Sequence, residues 1–148
     1  MADTTLAVAR SEKGDQEFGL VPLAGDIATI LKGWWVTRNA EGYGQIGGDD
    51  SATLFQGAAD EGVKIEDEEN DGDTKVRVKN GRMVVEFDSA LDESAVGRAA
   101  YLADNQLMAL YEDVSNYVFG GVIEEVLDES HAVVDTRPAR QQIAPITS

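Results

Sequence analysis

Lys75-Val-Arg-Val-Lys-Asn80-Gly81-Arg-Met-Val-Val-Glu-Phe87 is two alternating polar and apolar runs joined by an Asn-Gly pair. A period of two marks a strand with one covered face, and Asn-Gly is the pair that best suits the type I′ turn of a tight hairpin. The stretch therefore predicts a β-hairpin in which Lys79 faces Arg82, Val78 faces Met83, Val76 faces Val85 and Lys75 faces Glu86. In that register Val76, Val78, Met83 and Val85 share one apolar face, which another layer must cover.

Working upstream, Phe18 to Leu23, Asp26 to Leu31 and Trp34 to Arg38 read as short strands, and Asn39-Ala-Glu-Gly42 as a turn. Ala52 to Phe55, Gln56 to Ala59 and Val63 to Glu66 continue the series. Downstream, Val96 to Ala103 and Gln106 to Tyr111 flank Asp104-Asn105 as a second hairpin, and Asn116 to Leu127 with His131 to Thr136 form a third. Gly120-Gly121 marks a bulge or corner. Asp88 to Ala95 lacks Gly and Pro and sets Leu91 four residues before Ala95, the spacing of one short helix. Such closely spaced turns predict an all-β fold: a single antiparallel barrel or sandwich, β-tulip or jelly-roll-like, with an extended N-terminal arm and at most one short helix. Residues 1–16 read as the arm, 17–137 as the β domain, and 138–148 as a C-terminal tail beginning after Arg137-Pro138.

The 148 residues suit one domain that buries roughly two-thirds of its unfolded surface. No cysteine is present, which excludes disulfides, thiolate nucleophiles and cysteine-ligated zinc together. Twenty-eight acidic against twelve basic residues give a net charge of -16, which argues against direct binding to nucleic acid or to anionic lipid. The first ten residues show no signal-peptide pattern, and no apolar run approaches the roughly 20 residues that span a bilayer. No membrane partner is expected.

Chemistry-bearing patterns are weak. Asp67-x-Glu69-x-Asp71-Gly72-Asp73 resembles the start of an EF-hand loop, but its twelfth position falls on Val78, so it reads as a solvated acidic loop, as does Gly47-Gly-Asp-Asp50. Gly42-Tyr-Gly-Gln-Ile-Gly-Gly48 lacks the ending of a phosphate-binding loop and reads as a flexible loop. His131, the only histidine, stands beside Ser130 without a nucleophile elbow and reads as a turn residue. The expectation is a protein without catalytic residues, metal or cofactor. Trp34-Trp35 is different, because adjacent strand residues point to opposite faces and cannot enter the same core. One of them is expected at an interface, unless two layers cover both.

Three stretches carry a resemblance: Asp50-Ser-Ala-Thr-Leu-Phe-Gln-Gly-Ala-Ala59, Val96-Gly-Arg-Ala-Ala-Tyr-Leu-Ala-Asp-Asn105 and Tyr117-Val-Phe-Gly-Gly-Val-Ile-Glu-Glu-Val126. With them, residues 18 to 137 resemble the small capsid decoration, or cement, proteins of tailed bacteriophages. The resemblance implies a non-enzymatic β domain, made in the host cytoplasm, that binds the outer surface of the virion. Its partners would be the major capsid protein and itself, as a homotrimer or, second, a homodimer. Thr4, Leu6 and Val8 of the arm, with Trp34 and Trp35, are the expected capsid or subunit contacts, since an alternating arm can add to a sheet edge. The alternative is a β-sandwich module that stacks a carbohydrate or peptide on its aromatic residues.

Overall fold

The computed structural model describes residues 12–26, 29–64 and 70–140. Its strands are β1 (Glu12–Pro22), β2 (Thr29–Ile30), β3 (Trp35–Arg38), β4 (Gly44–Ile46), β5 (Leu54–Ala59), β6 (Val63–Lys64), β7 (Lys75–Glu86), β8 (Ala99–Leu102), β9 (Met108–Ala109), β10 (Phe119–Asp128) and β11 (His131–Asp135), followed by one helical turn, α1 (Arg137–Arg140). The fold is all-β, a strongly curled antiparallel sheet that forms a half-barrel. Its order is β4-β3-β5-β7-β11-β10-β8-β9, with β1 laid against β7 and a separate β2-β6 pair.

The expected hairpin at Asn80-Gly81 does not form. Lys75 to Glu86 is one unbroken strand, and its partners come from elsewhere: Gln16 opposes Gly81 and Leu20 opposes Arg77 on β1, while Val134 on β11 opposes Met83. Along the edge away from β1, β5 pairs at Val78 and Lys79 and β11 at Arg82 to Glu86. Asn80 and Gly81 sit where one neighbour gives way to the next, and there the Gly81 amide is met by the Thr136 hydroxyl at 3.1 Å. Gly81 does need glycine's freedom, with φ at +150°, but to pass a junction rather than to turn.

The alternation itself explains why the pattern resembled a hairpin. In β7 the even residues Val76 and Val78 are buried, and beyond the junction the odd residues Met83 and Val85 are. Even and odd residues of a continuous strand lie on opposite faces. Accordingly Val76 and Val78 belong to one apolar cluster with Val21, Leu23, Ile30, Val36 and Ala59, whereas Met83 and Val85 belong to another with Trp35, Phe55, Leu102, Met108 and Ile123. All four valine and methionine side chains are buried, but not on a shared face. The strand serves two cores, one on each side.

Two single parallel bridges curl each half back on itself. Leu23, just past β1, bridges Gly44 of β4, and Phe87, just past β7, bridges Met108 of β9. Gly44 permits the first closure, because a Cβ there would lie 2.7 Å from a Val21 methyl. Hence the glycine-rich stretch expected to be a flexible loop contains a strand. The other two expected hairpins do form: β8 pairs β9 around an Asp104 carboxylate that accepts the Gln106 and Leu107 amides, and β10 pairs β11. Gly121 has φ at +146° and lies in the expected bulge, opposite β8. The short helix near Ala95 is one 3-10 turn, Glu93–Ala95, capped by Asp92. β1 starts within the segment read as an arm, and α1 carries Ala139, fully buried, beyond Arg137.

Candidate functional site

The polar candidates resolve into local structure. Ser130 Oγ and Asp128 Oδ1 both lie 3.0 Å from the same nitrogen of His131, Nδ1, in the β10-β11 turn. A nucleophilic triad places its hydroxyl and its carboxylate on different ring nitrogens, so this cluster holds a turn together and does not activate Ser130. The Ser130 amide, ahead of the imidazole, holds the Asp128 carboxyl below its ordinary range. Of the acidic loop, Asp67, Glu68 and Glu69 lie outside the described residues; Asp71 accepts the Gly25 amide at 2.8 Å, which ties the loop to the end of β1. Among the described residues no group of three acidic or histidine side chains is placed to share a metal ion.

Trp34 and Trp35 do point to opposite faces, and each meets a different core. Trp35 is fully buried, 5.7 Å from the Phe55 ring, with its indole N–H donated to the Leu107 carbonyl. It has no surface to offer a partner, which corrects its expected role as a contact. Trp34 packs half-buried against the second cluster. The two-sided sheet is the reason: a strand with a core on each face can bury both neighbours. Thr4, Leu6 and Val8 lie outside the described residues.

Exposed apolar surface gathers instead in two places that sequence patterning did not single out. On β1, Phe18 and Leu20 are 50% and 60% exposed, on the face shared with Arg77 of β7. The Arg77 guanidinium lies 4.3 Å over the Phe18 ring, and its Nε is 3.4 Å from Asp60. Phe18, Gly19, Leu20 and Arg77 line a shallow open depression. Lys75, also exposed, precedes Arg77 on this face.

The second place joins Tyr101 of β8, Tyr111 and Tyr117. Tyr111 and Tyr117 stack at 4.6 Å and remain about half exposed, and Tyr101 meets both rings edge-on at about 6 Å. Tyr117 has φ at +53°, a conformation that costs a non-glycine residue on the order of 1 kcal/mol or more. Asp49 holds it there: its carboxylate accepts the Ser115 amide at 2.8 Å and the Asn116 amide at 2.7 Å, and its carbonyl accepts the Asn116 side chain. Glu112, paired with Arg98 at 2.7 Å, and Asp113, which accepts the Ser89 hydroxyl at 2.6 Å, follow Tyr111 on the same 3-10 turn. The contact with Tyr111, ahead of the Asp49 charge, pushes the Tyr117 hydroxyl above its ordinary range. Asp49 had read as part of a solvated acidic cluster; a carboxylate 66 residues from the loop it clamps leaves no short-range signature.

No protein-family model, curated protein or solved structure matches the chain.

Proposed function

We propose that this chain is a non-enzymatic structural protein that binds the outside of a viral shell and stabilises it, a decoration protein of the tailed-phage kind. The observation that supports this reading is the outer edge of β1. From Glu12 to Pro22 the strand is in register with β7 on one side, and no strand among the described residues pairs with the other. Such an edge offers a row of main-chain donors and acceptors to a strand of another protein, and attachment of that kind needs no catalytic chemistry. Residues 1–11, with alternating Thr4, Leu6 and Val8, precede this edge directly and supply the rest of the attachment. Repetition over a closed shell turns many weak contacts into a strong one. A carbohydrate- or peptide-binding module is the second reading, drawn from the exposed Tyr111 and Tyr117 rings.

Truncation tests the first reading. Removing residues 1–11, and no more, keeps every described β1-β7 pair. Circular dichroism should be unchanged, while co-sedimentation with expanded empty shells should weaken on the order of tenfold. A truncated protein that binds shells as the full chain does would overturn this mode of attachment. Full-length protein that ignores shells and instead binds an oligosaccharide or peptide would favour the second reading.

A further inference from the structure

We propose that the Phe18–Leu20 face of one copy packs onto the Tyr111–Tyr117 platform of a second copy, in a head-to-tail contact. The contact goes beyond shell attachment and does not use residues 1–11.

Six large apolar side chains are exposed among the described residues, and four of them fall in these two patches: Phe18 and Leu20 in one, Tyr111 and Tyr117 in the other. The patches carry opposite local charge on a chain whose net charge is -16. Arg77, paired with Asp60, and Lys75 border the first, leaving it one cation in excess; Asp49, Asp113 and Glu112, the last paired with Arg98, border the second, leaving it carboxylates in excess. Pairing like with like would set Arg77 against Arg77, or one acidic rim against another. Pairing unlike patches sets the cation excess of one against the carboxylate excess of the other and brings the Arg77 guanidinium, held over Phe18 and beside Asp60, towards a tyrosine face. The two surfaces are therefore complementary to each other and not to themselves.

Unlike surfaces on one molecule make a heterologous contact, which closes into a ring when the rotation between copies allows. The overall negative charge opposes any approach of two copies, so the contact is expected at physiological ionic strength, where charges more than about 8 Å apart are screened.

The experiment uses full-length protein without shells, by sedimentation velocity in physiological salt at tens of micromolar. Leu20→Glu and Tyr111→Ser alter one patch each, at side chains more than half exposed, and circular dichroism checks that both variants fold. Wild type should sediment as a species larger than the monomer, and each variant as a monomer. An equimolar mixture should give one-to-one pairs and nothing larger, because only one intact contact can form between the two variants. A monomeric wild type, a variant that associates as wild type does, or a mixture that stays monomeric would each overturn the proposal. None of these results depends on shell binding, so the two readings fail separately.

Discussion

The Thr136 hydroxyl donates to Asn80 Oδ1 over 2.9 Å and accepts the Gly81 amide over 3.1 Å, joining the end of β11 to the midpoint of β7. Asn80 Nδ2 in turn donates to the Gln56 carbonyl of β5 at 2.9 Å. Asn80 and Thr136 are both at most 2% exposed. Main-chain groups left without strand partners at the junction are thus satisfied by two side chains, as buried polar groups require.

Thr136→Val keeps the shape and removes the hydroxyl. It leaves a buried amide and a buried carbonyl oxygen unpaired, and should cost roughly 2–3 kcal/mol. Urea denaturation with an unchanged slope would measure it; a loss under half a kcal/mol would mean that water replaces the hydroxyl.

Gly121 and Gly97 separate two roles of glycine. At Gly121 a Cβ would lie 2.5 Å from the Asp135 carbonyl oxygen, whereas at Gly97, with φ at +87°, nothing lies within 4 Å. Gly97→Ala should therefore cost about 1 kcal/mol from backbone strain alone. Gly121→Ala must also move main chain and should cost about 3 kcal/mol or more. Thermal melts of equal cost would refute the distinction.

Asp49→Ala frees the Ser115 and Asn116 amides. The Tyr117 turn should then exchange its amide hydrogens faster, and the near-ultraviolet dichroism of the tyrosine stack should fall, while the β8-β9 hairpin keeps its protection. Unchanged exchange would mean that Tyr117 keeps its conformation without the clamp.

Asp135 receives Arg137 through two bonds of 2.9 Å, and the guanidinium holds its carboxyl below the ordinary carboxylate range. A lowered folded-state value means that the pair stabilises the protein above the unfolded-state value, and that this contribution is lost as the pH falls through the folded-state one. Asp135→Asn should lower stability by roughly 1–2 kcal/mol at neutral pH. In strong acid wild type and variant should converge; a gap that persists there would assign the loss to packing.

Much of the fold is legible in the residues. Gly120-Gly121 announces its bulge and Asp104 its turn, while Trp34-Trp35 left open whether one ring faces an interface or two layers cover both, and the two-faced sheet buries Trp35 and half-buries Trp34. The error at Asn80-Gly81 has a physical cause. A switch of the apolar residues from even to odd positions arises either when a chain turns back or when a straight strand passes from one core to another. Local sequence does not separate the two, because the deciding groups, Thr136 and Gln56, lie far away in the chain. The platform was hidden for the same reason: Tyr101, Tyr111 and Tyr117 share no strand period, and only the fold of β8, β9 and β10 brings their rings together.

Because β7 lends its first half to one core and its second half to the other, neither half of the molecule owns a complete set of strands. During synthesis the first core can begin to assemble once residue 86 is made, but the far end of β7 stays uncovered until β11 emerges, almost fifty residues later. Thr136 is among the last described residues to arrive, and its hydroxyl closes the seam at Asn80. The two cores are expected to melt as one cooperative unit, so that damage to either should be felt across the whole protein.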